Sequence, residues 1–142
     1  MCQLAPKKKE AVMGPKQVTI LLVEDEPTIR SFLHIFLEYL GFDVIEANNG
    51  LEGMQRYQAL PIDAVISDIH MPEMNGLEMM RAIRQYDSAA TMIAMSSDPE
   101  WLSLAHHAGA QQTLKKPFDL DELRSVLESL RQIGAFHHQI TK

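Results

Sequence analysis

Four short stretches of the chain carry side chains able to do chemistry, and each lies at the end of an apolar run. Glu24, Asp25 and Glu26 follow VTILLV, and Asp68 follows DAVIS at the start of the turn-rich DIHMPEMNG. Ser96 closes TMIAMS with Ser97 after it, and Lys115 closes QQTLK with Lys116 and Pro117 after it. A carboxylate at a strand end, followed by a Pro and Gly turn, is held rigidly yet open to solvent. Such a group can attack phosphorus to form an aspartyl phosphate, while a hydroxyl and an ammonium donate to the phosphoryl oxygens. If the fold gathers Glu24, Asp25 and Asp68, like charges about 4 Å apart repel by roughly 4 kcal/mol at an effective dielectric of 20. A hard divalent cation offsets that repulsion. Mg2+ suits the set, since it takes oxygen ligands and is often held by one or two carboxylates plus phosphate oxygens.

Those positions make sense only if strands and helices alternate between them. VTILLV is a short, β-branched apolar run bounded by charge, as in a strand buried on both faces. PTIRSFLHIFLEYLG then places Ile29, Phe32, Leu33, Phe36, Leu37 and Leu40 on one helix face, with Pro27 at the start and Gly41 at the stop. The alternation continues with strand FDVIEA, helix LEGMQRYQAL, strand DAVIS, helix GLEMMRAIRQY, strand TMIAMS and helix DPEWLSLAHHAG, in which Asp98 caps and Gly109 terminates. A weaker strand, QQTLK, precedes a last helix, LDELRSVLESLRQIG. There Leu123, Val126, Leu127 and Leu130 share a side, Asp119 with Glu122 forms a capping box, and Gly134 ends the run. Five strands alternating with five helices imply parallel pairing and a doubly wound α/β sheet. In such a sheet ligands sit beyond the carboxyl ends of the strands, where all the residues singled out above stand.

Composition narrows the function. A chain of 142 residues, 46% hydrophobic and 23% charged, suits one soluble globular domain. The formal net charge of -6 argues against a nucleic-acid surface. Cys2 has no partner for an internal disulfide, and no apolar run approaches the roughly 20 residues that cross a bilayer, so the expected home is the cytoplasm, away from membranes. The expected organisation is a flexible extension over 1–16, with its Lys7 to Lys9 triplet, one domain over 17–134 and a tail over 135–142.

Taken in order, ILLVEDEP, DAVISDIHMPEMNGLE, MIAMSS and GAQQTLKKPFDLDEL resemble the response-regulator receiver domain of two-component signalling, and they frame the chain from Val18 to about Ile133. The resemblance implies a flavodoxin-like sheet with strand order 2-1-3-4-5. It makes Asp68 the phosphoacceptor, Glu24 and Asp25 the acidic pair that positions Mg2+, and the backbone carbonyl of His70 a further metal ligand. Ser96 becomes the switch hydroxyl and Lys116 the lysine before a usually cis proline, Pro117. It further implies a sensor histidine kinase or histidine phosphotransfer protein as donor, and a downstream protein that reads the fourth and fifth helices. With no output domain after Gly134, the expectation is a stand-alone relay intermediate or binding effector whose only catalysis is its own phosphorylation and dephosphorylation. Two departures stand out: the pair is Glu-Asp instead of Asp-Asp, and Thr113 replaces the aromatic residue that similar proteins often carry on the fifth strand.

Rival readings have weaker support. An aspartate-based, Mg2+-dependent phosphatase places a D-x-D pair after its first strand, and a flavin module wants a Gly, Ser or Thr-rich loop where this chain has EDEP. His106 and His107 are adjacent, so on a helix they diverge by about 100° and make a poor metal pair, and His137 and His138 fall in the tail. Met71, Met74, Met79 and Met80 suit packing better than a partner groove. Trp101, early in the fourth helix, suits either packing or a partner anchor.

Overall fold

The computed structural model describes residues 17–129. The expected extension over 1–16, the tail over 135–142 with His137 and His138, and the helix end at Leu130 and Gly134 lie outside these residues.

The strands are β1 (Thr19–Val23), β2 (Asp43–Ala47), β3 (Ala64–Asp68), β4 (Met92–Ser96) and β5 (Gln112–Lys115). Between them run α1 (Pro27–Tyr39), α2 (Gly50–Ala59), α3 (Gly76–Tyr86) and α4 (Pro99–Ala108). A fifth helix, α5, begins at 120 and is helical to 129. All pairings are parallel and the sheet order is β2-β1-β3-β4-β5. This is the doubly wound, flavodoxin-like arrangement expected from the sequence.

The period of two along each central strand explains why helices must cover both faces. Leu21 and Val23 of β1, Val65 of β3, and Met92 and Ala94 of β4 enter one cluster, with Tyr57 of α2, Met79 and Ile83 of α3, and Leu102 of α4. Their neighbours Ile20, Leu22, Ala64, Ile66, Ile93 and Met95 enter the other, with Leu33 and Leu37 of α1 and Leu123 and Leu127 of α5. Burying each of these larger aliphatic side chains is worth about 1.5–3 kcal/mol. The two clusters thus hold the central strands rigid up to their last residues.

Helix ends follow the chemistry expected of them. Asp98 accepts from Glu100 N–H at 2.9 Å at the start of α4, and Gly109 ends it at φ 121°. Asp119 and Glu122 form the reciprocal capping box, at 2.8 and 3.0 Å. Some details differ from the sequence reading. Ile29 and Phe32 do not join the buried face of α1 but are 40% and 55% exposed. Phe32 is turned about 100° from Leu33, and Ile29 belongs to the first turn, where the strands end. Gln111 is not part of β5: its side-chain amide accepts from Met92 N–H and donates to the Ala90 carbonyl, both at 2.8 Å, pinning the entry to β5 against β4.

An ionic clasp joins α1 to the edge strand. Glu46 of β2 takes Arg30 Nε at 3.3 Å and His34 Nδ1 at 2.6 Å, and His34 Nε2 lies 3.1 Å from Glu38. Burial alone would lower the His34 pKa, but the Glu38 and Glu46 carboxylates outweigh it and hold it above the ordinary histidine value. A group raised on folding stabilises below its unfolded pKa and stops doing so as pH rises through the folded one. Urea unfolding between about pH 5.5 and 8 is therefore expected to show stability falling with pH by no more than about 1 kcal/mol, since the clasp is partly solvated. In His34→Gln this component of the slope disappears. A second prediction concerns Gly76, whose Cβ, if present, would lie 2.4 Å from the Asp68 carbonyl oxygen and 2.8 Å from Ile69 Cα. Both are backbone atoms that cannot swing aside, so Gly76→Ala is expected to cost about 1–3 kcal/mol in the same assay.

Candidate functional site

β1, β3 and the end of β5 bring their chemistry to one edge. Glu24 extends β1 by one ladder bond, its N–H donating to the Ala47 carbonyl at 3.1 Å, and its side chain is 1% exposed. One carboxylate oxygen, Oε2, accepts from Glu26 N–H at 3.2 Å. Asp68 is the last residue of β3, opposite Met95. Its Oδ1 accepts from Ile69 N–H at 2.9 Å, and that N–H also reaches the Met95 carbonyl at 3.1 Å. The turn after Asp68 is fastened by Gly76 N–H on the Ile69 carbonyl at 2.8 Å and by Gly50 N–H on the Met74 carbonyl at 2.9 Å. Glu73, at φ 69°, takes the left-handed step inside it. Lys116 donates its N–H to the Ser96 carbonyl at 2.8 Å and precedes a cis bond to Pro117. From there its Nζ reaches 3.4 Å from Asp68 Oδ1 and 3.6 Å from Glu24 Oε1.

Carboxylate oxygens of Glu24, Asp25 and Asp68 all lie within 4.8 Å of one another. At that separation each pair of charges repels by about 3.5 kcal/mol at an effective dielectric of 20. Burial first, then the charge of Asp68, pushes the Glu24 carboxyl above the usual carboxylate range; Lys116 and the Glu26 N–H oppose this, and Asp25 adds to it. Glu24 Oε1 is buried with no hydrogen bond among the described residues, and the Lys116 ammonium lies 3.6 Å from it. One lysine against three acids leaves a net negative pocket of oxygen donors. That donor set and its orphaned oxygen fit a hard divalent cation such as Mg2+.

The other residues singled out in the sequence have distinct places in the fold. Ser96, buried at the end of β4, lies one residue past Met95, the partner of Asp68, and its Oγ accepts from Asp98 N–H at 3.1 Å. His70 is exposed two residues beyond Asp68, and its ring meets that of Trp101 edge-on at 4.8 Å. Trp101 also packs against the core cluster. Thr113 pairs with Ala94 in the middle of β5. His106 and His107 are not brought together as ligands; each sets Nδ1 3.0 Å from a backbone carbonyl, of Ala110 and Ser103 respectively. Met79 and Met80 are fully buried, with Met71 and Met74 packed against the same cluster. The sequence reading missed Arg30, whose Nη1 donates to the Glu24 carbonyl at 2.8 Å. Nothing in its local pattern distinguishes it from a solvated helix arginine. The Pro and Gly turn after Asp68 ends at Gly76, whose close approach to the Asp68 and Ile69 backbone no sequence pattern reveals.

Residues 20–128 match the response regulator receiver domain family. The chain belongs to that family. Among curated relatives, the sensor protein EvgS of Escherichia coli is 30% identical over 130 residues, covering 90% of this chain and 11% of EvgS. The transcriptional regulatory protein CrdR of Helicobacter pylori is 36% identical over 112 residues, covering 77% of this chain and 53% of CrdR. The chain thus spans about half or less of the relatives it matches. Among solved structures, the response regulator TrrA of Thermotoga maritima, in complex with magnesium and BeF, superposes with a TM-score of 0.75 at 34% identity, covering 80% of this chain and 99% of TrrA. The receiver domain of a Pseudomonas aeruginosa sensor histidine kinase, with a magnesium ion in its active-site cleft, gives a TM-score of 0.76 at 26% identity, covering 82% and 98%. Receiver domains are signalling domains that take phosphoryl groups from histidine kinases or phosphotransfer proteins and bind Mg2+ at an acidic site.

The electrostatics of the pocket make a prediction that needs no phosphoryl chemistry. In Asp68→Asn two close repulsions go and one attraction to Lys116 goes with them, so the net change favours the fold. Without divalent ions this variant is expected to be more stable than wild type by about 1 kcal/mol, after solvent screening is allowed for. Denaturant midpoints in buffer containing chelator check this, and a loss of stability contradicts the charge assignment.

Proposed function

We propose that this receiver domain accepts a phosphoryl group on Asp68 from the phosphohistidine of a sensor histidine kinase or a histidine phosphotransfer protein. The observation that carries the reading is the Asp68 carboxylate itself: a nearly buried strand-end acid, with Lys116 Nζ 3.4 Å away and two further acids beside it. Asp68 Oδ1 is engaged by Ile69 N–H and Lys116, which leaves Oδ2 for attack. An electron pair of Oδ2 forms the O–P bond while the N–P bond of the phosphohistidine breaks. The released pair stays on the imidazole, which takes a proton from solvent. Lys116 and Ser96 are then the donors to the phosphoryl oxygens, and their positions are set by the bond from Lys116 N–H to the Ser96 carbonyl. Glu24, Asp25, Asp68 and the backbone carbonyl of His70 are the residues that would hold Mg2+. When bound, the ion offsets the charge of the acids and of the incoming phosphoryl group.

The output we infer is a change in partner affinity on phosphorylation, carried by Ser96 and the faces of α4 and α5, or onward transfer to another histidine. Kinship with sensor proteins such as EvgS supports the second route, and kinship with transcriptional regulators such as CrdR the first. The functional unit is taken to be residues 17–134, acting in the cytoplasm. Because Thr113 stands where an aromatic residue often does, the hydroxyl shift has no ring on β5 to move with it. The aspartate-based phosphatase is not favoured, since this chain has Glu24-Asp25-Glu26 after β1 and its candidate nucleophile at the end of β3.

Incubation with acetyl phosphate tests the reading. Intact mass is expected to rise by one phosphoryl group in wild type with Mg2+, and to stay unchanged with chelator or in Asp68→Asn. Lys116→Ala is expected to slow the gain by roughly a hundredfold or more, on the scale of losing one charge-stabilising donor. A phosphoryl group that still appears on Asp68→Asn moves the acceptor elsewhere.

A further inference from the structure

Acids that repel one another will splay their loop unless the backbone beneath them is held. β1 ends at Val23, so the Glu24 to Asp25 peptide lies past the strand, and its neighbours on either side offer different support. The Glu24 N–H is fixed by the Ala47 carbonyl at 3.1 Å. The Glu24 carbonyl is fixed by Arg30 Nη1 at 2.8 Å. Arg30 is itself braced from the edge strand, with Nε 3.3 Å from Glu46 Oε1, and the other oxygen of Glu46 is held by His34 at 2.6 Å. Its guanidinium side chain is only 17% exposed, so this is a seated group and not a solvated one.

We propose that Arg30 is a positioning residue of the divalent-cation site: clamped between Glu46 and the Glu24 carbonyl, it sets the peptide from which the Glu24 and Asp25 carboxylates converge on Asp68. Its contact is to the carbonyl and not to either carboxylate, so it acts through the geometry of the pair. A guanidinium suits the task because it presents several donors in one plane and can bond the carboxylate and the carbonyl at once. A lysine has a point charge on a flexible stem and can serve one of the two. Arg30 thereby ties the ligand geometry to the seating of α1 on β2, through Glu46. The inference rests on the ion-binding reading above and adds a residue to it that touches neither the ion nor phosphorus.

Calorimetric titration of Mg2+ into the full chain tests this, alongside acetyl phosphate uptake as a function of Mg2+ and a thermal melt of each protein. Arg30→Met keeps the apolar stem and removes the donors. It is expected to weaken Mg2+ binding about tenfold, in the range seen when the support of a metal ligand is removed. Uptake is expected to need correspondingly more Mg2+ while its rate at saturating ion is largely recovered. Arg30→Lys and Glu46→Gln are expected to fall between, at about threefold. A role in stability alone lowers the melting temperature and leaves the Mg2+ affinity where it was, and that result overturns the proposal. Should Arg30→Met not fold, an Arg30→Lys affinity equal to wild type overturns it just as well. If wild type itself binds no Mg2+, the ion-binding reading fails and this inference falls with it; if only the variants match wild type, the inference fails alone.

Discussion

Repulsion among three carboxylates at the carboxyl edge of the sheet is the constraint around which the molecule is organised. Oxygens of Glu24, Asp25 and Asp68 within 4.8 Å are unfavourable neighbours in any medium poorer than water, and one lysine does not balance them. The fold tolerates the arrangement because the stabilising terms lie elsewhere, in two apolar layers that grip the strands from both faces. The resulting pocket is a standing demand for positive charge, of the kind a hard divalent ion would meet.

Rigidity at that edge comes from backbone bonds as much as from the core. The Ile69 N–H is shared between the Asp68 carboxylate and the neighbouring strand, and Gly76 closes on the Ile69 carbonyl so tightly that no side chain fits. On the first strand the Arg30 guanidinium takes the corresponding part for Glu24. Glu24 and Asp68 are thus held by their main chain and by a backbone N–H on one carboxylate oxygen each, while Glu24 Oε1 has no hydrogen bond among the described residues. Such an arrangement lowers the reorganisation needed when charge arrives.

A second link leaves the site through the chain that follows Asp68. The His70 ring, on the turn just after it, meets Trp101 of α4 edge-on, and Trp101 packs against the core cluster. A ring is therefore present between the acid site and α4, though not on β5, where Thr113 stands. Packed contacts of this kind shift between discrete arrangements more readily than they deform.

Much of this was legible in the chain. Strand and helix spans, the caps at Asp98 and at Asp119 with Glu122, and the stops at Gly41 and Gly109 follow from local patterns, because period, turn chemistry and capping act within a few residues. The acids, the serine and the lysine were recognisable as candidates, because a charged or hydroxyl residue at the end of a buried strand is conspicuous. Strand order came from resemblance to a family and not from periodicity. What the tertiary structure alone decided was distance: that residues 24, 68 and 116 lie within reach of one another, that Ile29 and Phe32 stay outside the core, and that Arg30 grasps the Glu24 carbonyl. Those relations depend on register and on the seating of helices on the sheet, which are set by contacts between residues far apart in the chain, and no local pattern encodes them.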